Sequence, residues 1–115
     1  MSVTIYHNPR CSKSRQTLAL LEERGITPNV VEYLKTPPTA AELADILKKL
    51  GLNPRQLMRQ KEEPYSQLDL ANPAKSDAAL IKAMVENPIL IERPIVVANG
   101  KAAVGRPPEA VLDIL

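Results

Sequence analysis

The chain has 115 residues, of which 44% are apolar and only 3% are aromatic, with neither Phe nor Trp. This composition fits one folded domain with an aliphatic core and leaves few rings on which nucleic acid bases could stack. The 15 Lys and Arg residues nearly balance the 13 Asp and Glu residues, so the formal net charge is only +2. We therefore expect no nucleic acid or membrane partner, and any anion site must be local.

The single cysteine, Cys11, excludes an internal disulfide. No stretch approaches the roughly 18 consecutive apolar residues that cross a bilayer, and the sequence MSVTIYHNPRC lacks the pattern of a secretory signal. We expect a cytoplasmic protein, where a lone thiol stays reduced. With one Cys, one His and no carboxylates clustered at ligand spacing, we expect no metal site, and neither a Walker loop nor a dinucleotide fingerprint is present.

The chain opens with a strand, a loop and a helix. A β-prone run over Val3–Tyr6 leads into the polar loop His7–Arg10 and then to Cys11. Periodic apolar residues predict a helix over Ser12–Arg24, and Gly25 suits a left-handed C-cap. Cys11 is therefore expected at the N-terminus of the first helix.

A second strand, Asn29–Leu34, completes a βαβ unit with a right-handed crossover, and the middle of the chain is then predicted to be helical. Thr39 and Glu42 form a capping box for a helix that runs to Leu50 and stops at Gly51. Two further helices are predicted, one opened by Asn53-Pro54 and one running from Ser76 to Glu86 before Asn87-Pro88.

The C-terminal part returns to β structure. Its predicted elements are the strands Pro94–Ala98 and Ala102–Val104, the turn Asn99-Gly100 between them, and a last helix from Pro107-Pro108 to Leu115. The order β-α-β, helical insertion at about 39–87, β-β-α resembles a thioredoxin-type sheet with an inserted helical lobe. We predict an α/β fold, a thioredoxin-like mixed β-sheet flanked by helices, in a single domain over 1–115.

Cys11 is the candidate reactive group. A thiol at a helix N-terminus faces unpaired amides and the positive end of the macrodipole, and both favour the thiolate. Arg10, Lys13 and Arg15 add positive charge nearby, and the Ser14 hydroxyl is a donor for the sulfur or for a bound oxyanion. One loop therefore offers both a nucleophile and part of an oxyanion cradle. The alternative is an inert, buried cysteine.

Two familiar thiol motifs are absent. A thioredoxin-type C-x-x-C motif needs a second Cys where this chain has Ser14, so a resolving thiol must come from elsewhere. A phosphatase-type C-x5-R loop needs Arg where this chain has Thr17, so an oxyanion must be bound differently.

Residues 6–15, Tyr-His-Asn-Pro-Arg-Cys-Ser-Lys-Ser-Arg, resemble the H-N-P-x-C-[ST]-K-S-R segment of the glutathione/glutaredoxin-dependent arsenate reductase (ArsC) family. The resemblance covers essentially the whole chain, including 57–61, 91–96 and 104–109. These three segments supply the arginines that match the family's oxyanion-binding set: Arg59, Arg93 and Arg106. Arginine suits this role because its planar fork can donate two hydrogen bonds to neighbouring oxygens.

The resemblance implies an arsenate reductase of arsenical resistance, in which Cys11 attacks arsenate. It also implies that glutathione is a co-substrate, that glutaredoxin resolves the glutathionylated intermediate and releases arsenite, and that no cofactor is tightly bound. Pro94 occupies the position where thioredoxin-like folds commonly hold a cis proline, and the sequence leaves its isomer open. Four residues are predicted to support the site, each with a plain structural role as the alternative: His7, Asn8, Ser14 and Arg15.

Two other functions remain open. A Spx-like regulator that binds RNA polymerase shares this fold, but such proteins usually carry C-x-x-C, and Ser14 removes the second thiol of that switch. A thiol reductase acting on another oxyanion or on a glutathione adduct is the other alternative, because a fold hosts many activities. In each case we expect a monomer.

Overall fold

A computed structural model of the chain describes residues 2–115. The chain divides into two compact units. The first, here called the sheet unit, comprises the residues up to Thr36 together with Arg93–Leu115, and the second, the helical unit, comprises Pro37–Glu92. That 1–115 form a single domain stays a prediction. No helix within residues 2–115 is long and apolar enough to cross a membrane.

The sheet unit contains a mixed four-stranded sheet. Its strands are β1 (Val3–His7), β2 (Asn29–Glu32), β3 (Ile95–Ala98) and β4 (Lys101–Val104), in the order β2-β1-β3-β4. β1 pairs with β2 in parallel and with β3 antiparallel, and β3 pairs with β4 antiparallel across the predicted Asn99-Gly100 turn. The predicted mixed sheet is therefore confirmed.

Helix α1 (Ser12–Glu23) connects the two parallel strands. It ends where Gly25 adopts a left-handed φ of +75°, as the sequence predicts. The last element is a 3-10 helix over Pro108–Ile114 that contacts α1 and β4. Alternate side chains of β1 point into the interior, where one cluster of buried residues is entirely aliphatic: Val3, Ile5, Leu21, Val96, Ala98, Val111 and Ile114.

The helical unit contains four α-helices and a 3-10 turn. They are α2 (Ala40–Leu50), α3 (Pro54–Leu57), α4 (Glu63–Gln67), α5 (Asp77–Glu86) and the 3-10 helix Pro88–Leu90. The capping box is confirmed, because the Glu42 amide donates to Thr39 Oγ1 over 3.1 Å and the Thr39 amide donates to Glu42 Oε1 over 2.9 Å. Gly51 ends α2 with a φ of +69°. Ser76 caps α5, as predicted.

Several elements differ from the prediction, among them β2, α4 and the last helix. β2 ends at Glu32 and not at Leu34, because the amides of Lys35 and Thr36 both donate to the Glu32 carbonyl over 2.9 Å and turn the chain. Helix α4 was not predicted, because its five residues are too few to show an apolar period. The last helix is 3-10, as its amides bond to the carbonyl three residues back.

Candidate active site

The Cys11 loop begins where β1 ends. Cys11 is the N-cap of α1, with extended backbone angles of φ −92° and ψ 124°, and its side chain is half-buried. The Cys11 amide donates to the Asn8 carbonyl over 3.0 Å, and the Arg10 amide donates to Asn8 Oδ1 over 3.0 Å. These two hydrogen bonds close a tight turn, so the position of the thiol is fixed by the backbone of the loop.

Opposing effects act on the Cys11 sulfur. Burial raises the pKa of the thiol because it disfavours the charged form. Hydrogen bonds from the Ser14 and Lys13 amides of α1 lower that pKa, and so do a hydrogen bond and the charge of Arg93. Together the lowering effects prevail, so the pKa of Cys11 lies below its usual value. The thiolate predicted from the helix N-terminus is therefore favoured by this geometry.

Two of the predicted arginines meet at the thiol because of the strand register. Tyr6 pairs with Ile95, and Ile95 pairs with Val104, so the end of β1, the start of β3 and the end of β4 lie at one edge of the sheet. Arg93, just before β3, and Arg106, just after β4, therefore both flank Cys11.

The Arg106 side chain connects the two arginine segments to the sulfur. Its Nη2 lies 3.4 Å from Cys11 Sγ, and its Nε donates to the Arg93 carbonyl over 2.8 Å. Each arginine precedes a cis proline, Pro94 and Pro107. The isomer at Pro94, which the sequence leaves open, is therefore cis.

Gly105 is a site-shaping residue that the sequence analysis missed. Its amide donates to the Pro94 carbonyl over 2.9 Å. A Cβ at this position would lie 2.5 Å from Thr17 Oγ1 and 2.8 Å from Pro94 Cγ, closer than side chains can approach. Only glycine allows the end of β4 to pack this closely against α1, and this packing places the next residue, Arg106, beside the thiol. The glycine immediately before a predicted site arginine was the available signal.

A network of buried polar side chains stabilises the Cys11 loop from the interior of the sheet unit. Ser14 Oγ lies 2.6 Å from His7 Nδ1 and accepts the Asn8 amide over 3.0 Å, and all three residues are buried. Burial lowers the pKa of His7, and the Arg15 charge adds to this effect while Glu32 opposes it. The neutral imidazole is favoured, and its Nδ1 can accept the Ser14 hydroxyl proton. This hydrogen bond joins the end of β1 to the first turn of α1.

Arg15 and Arg59 are held by neighbours in their own units. The exposed Arg15 donates from Nη1 to the Pro9 carbonyl over 3.0 Å, which braces the loop from outside. Arg59 belongs to the helical unit, where its Nη1 lies 2.6 Å from Glu92 Oε1 and its Nε lies 3.7 Å from Glu62 Oε2. The predicted role of Arg59 in oxyanion binding stays a prediction.

The described residues, 2–115, contain no group of three or more His, Cys, Asp and Glu side chains that could hold a metal ion. The Cys11 site itself offers a sulfur whose pKa is lowered and which lies beside two guanidinium groups.

Comparisons with known proteins bear on the same residues. A family model described as the ArsC family matches residues 6–114. A curated "Uncharacterized protein YfgD" from Escherichia coli is 65% identical, over 98% of this chain and 96% of its own. A curated "Arsenate reductase" from Neisseria meningitidis is 56% identical, over 98% of this chain and 97% of its own. A solved structure, "Arsenate reductase from Vibrio cholerae", is 60% identical with a TM-score of 0.97, covering 100% of this chain and 98% of that one.

We expect Gly105→Ala to raise the pKa of Cys11 towards that of free cysteine. The new methyl group meets Thr17 and Pro94, and relief of that contact displaces Arg106 and Arg93. The pH dependence of Cys11 alkylation by iodoacetamide measures this shift, and urea unfolding should show a loss of about 1–3 kcal/mol from overpacking.

Gly100→Ala is the matched control on the same hairpin. Gly100 has a φ of +71° but no atom within 4 Å of a Cβ, so alanine should cost about 1–2 kcal/mol of backbone strain and leave the pKa of Cys11 unchanged. An unaltered pKa in Gly105→Ala would show that this glycine does not position the arginines.

Proposed function

The chain belongs to the ArsC family, and we propose that it is an arsenate reductase with Cys11 as the nucleophile. The observation that carries the proposal is the Cys11 sulfur, which accepts from backbone amides of α1 and lies beside Arg93 and Arg106. Relatives named arsenate reductase support the choice of substrate. One relative has no assigned activity, so the choice rests on the site as well as on names.

The first step joins sulfur to arsenic. Arsenate is an anion and repels a thiolate unless cations neutralise it, and the forks of Arg93 and Arg106 can donate to its oxygens as charge accumulates. Cys11 Sγ attacks arsenic, an S–As bond forms, and one arsenate oxygen leaves as water after taking up protons. Arsenic remains As(V) in this adduct.

The two electrons come from thiols outside the chain, because Cys11 is its only cysteine. Glutathione displaces a second oxygen as water and forms another S–As bond. The glutaredoxin thiolate then attacks the glutathione sulfur, forming a mixed disulfide and leaving the bonding pair on arsenic, which becomes As(III). Water finally cleaves the bond between Cys11 and arsenic, releasing arsenite and restoring the thiol.

The proposed reaction depends on the compartment in which the protein works and on the thiols that are present there. It requires reduced glutathione and glutaredoxin, so the proposed setting is the cytoplasm, and it requires no tightly bound cofactor. We propose that the protein acts as a monomer, because Cys11, Arg93 and Arg106, which take part in the first step, all come from the sheet unit of one chain. The proposed biological role is arsenical resistance.

We expect the purified protein to oxidise NADPH in an arsenate-dependent way when glutathione, glutaredoxin and a glutathione-regenerating system are supplied. Cys11→Ser should abolish turnover because a serine hydroxyl is not ionised at neutral pH and cannot replace the thiolate. Gln16→Ala, an exposed change on α1, is the control that should retain activity.

Full activity of Cys11→Ser would rule out the proposed nucleophile. Wild-type protein without turnover on arsenate would rule out the proposed reaction, and two further experiments would then separate the alternatives. Turnover of another oxyanion or of a glutathione adduct would indicate the related reductase, and co-purification with RNA polymerase subunits would indicate the regulator.

Removal of a single arginine should lower the catalytic efficiency with arsenate. Loss of a charge-assisted hydrogen bond costs about 1.5–3 kcal/mol, so we expect kcat/KM for arsenate to fall about 10- to 100-fold in Arg59→Ala, Arg93→Ala and Arg106→Ala. The assay should be run at a pH where Cys11 is fully ionised in every variant, so that loss of thiolate does not contribute.

Lysine at each position is the matched control. It keeps the charge but not the planar fork, so Arg→Lys should restore part of the activity. Variants that unfold more readily but keep kcat/KM unchanged would indicate structural roles, most readily for Arg59, which is bound by two carboxylates.

A further inference from the structure

A cavity that takes no part in the attack on arsenate lies beside the Cys11 loop. It belongs to the sheet unit and has a volume of about 230 Å³. Its walls are the loop residues 7–10 and, from the end of β2 and the turn that follows, Glu32, Leu34 and Lys35. The His7–Glu32 pair of the β1–β2 register brings these two segments together.

The cavity carries two cations and one carboxylate. Arg10 and Lys35 are exposed, and Lys35 Nζ lies 3.6 Å from Glu32 Oε1. Such an exposed pair is worth at most about 1 kcal/mol, so a ligand can replace either partner. The formal charge of these three side chains is +1, and Pro9 and Leu34 add apolar surface to the lining. The cavity is therefore suited to a small ligand with two anionic groups and one cationic group.

Glutathione has this pattern of charges. The tripeptide carries two carboxylates and one ammonium group, with the thiol on its central residue. We propose that the cavity is the glutathione subsite, in which Arg10 and Lys35 bind the carboxylates and Glu32 binds the ammonium group. This inference rests on the proposed function and specifies where its second substrate binds.

The position of the cavity fits the reaction. β2 lies on one side of β1 and β3 lies on the other, so the cavity and the two arginines approach Cys11 from opposite sides of the strand that leads into its loop. Arg10 adjoins Cys11, and the loop between them is closed by the Cys11–Asn8 hydrogen bond. Consecutive Cα atoms lie about 3.8 Å apart, so a tripeptide that is bound at Arg10 and extends to at most about 11 Å lies next to the residue that carries arsenic. The oxyanion and the peptide therefore need not compete for the same groups.

The test measures disulfide exchange in the absence of arsenate. Reduced protein is mixed with oxidised glutathione, and mass spectrometry follows formation of the Cys11–glutathione disulfide. In this step the Cys11 thiolate forms one S–S bond, the S–S bond of the reagent breaks, and one glutathione thiolate leaves. The uncharged reagent 2-hydroxyethyl disulfide undergoes the same step and reports the intrinsic reactivity of Cys11.

We expect Arg10→Ala and Lys35→Ala each to slow the reaction with oxidised glutathione several-fold more than the reaction with 2-hydroxyethyl disulfide. Lys101→Ala, which removes an exposed cation from β4, should affect neither rate. Glu32→Gln separates a subsite from general charge attraction. Attraction alone predicts a faster reaction with the anionic disulfide, whereas binding of the ammonium group by Glu32 predicts a slower one.

Three results would overturn the subsite. The first is an exchange rate with oxidised glutathione that is equal in wild type and in the Arg10 and Lys35 variants, and the second is an equal loss of rate with both disulfides. The third is a faster reaction with oxidised glutathione in Glu32→Gln. In the coupled assay the same variants should raise KM for glutathione without changing KM for arsenate, and an unchanged KM for glutathione would also overturn it. The two proposals can fail separately. If the variants slow exchange with oxidised glutathione selectively but arsenate is not turned over, the proposed reductase activity is wrong and the glutathione subsite stands. If arsenate is turned over but the exchange shows no selectivity, the subsite is wrong and the reductase activity stands.

Discussion

The hydrogen bonds that reach the Cys11 sulfur are the interactions on which the site depends. Burial is the largest single effect on the thiol, and it opposes ionisation. The α1 amides and Arg93 together overcome it. The thiolate is therefore a property of an assembly of loop, helix and distant arginine, and every element that positions a donor contributes to the chemistry.

The sheet explains how so short a chain builds this assembly. β1 is an inner strand whose end becomes the Cys11 loop, and its antiparallel partner β3 begins at the same edge, next to the end of β4. This order brings Arg93 and Arg106 to the thiol on one side, and the cavity that we propose for glutathione lies on the β2 side. Gly105 and the buried pair His7 and Ser14 keep the connecting segments in place.

Features set by local sequence could be predicted, and features set by tertiary contacts could not. Capping by Thr39 and Glu42, the hairpin turn and the placement of Cys11 at a helix start each depend on a few adjacent residues, and all are confirmed. The meeting of Arg106 with Cys11 joins opposite ends of the chain, so only the family resemblance pointed to it. The position of Gly105 beside Arg106 is visible in the sequence, but the requirement for glycine there arises from contacts with Thr17 and Pro94 in other elements.

A titration of the Cys11 thiol shows whether the amides and Arg93 lower its pKa despite burial. As the only cysteine, Cys11 is the only source of a thiolate signal, and absorbance at the thiolate band can be followed against pH, with Cys11→Ser as the blank to subtract tyrosine ionisation. We expect an inflection below that of free cysteine titrated under the same conditions. An inflection at or above that value would show that burial prevails over the amides and Arg93, and the proposed nucleophile would be lost.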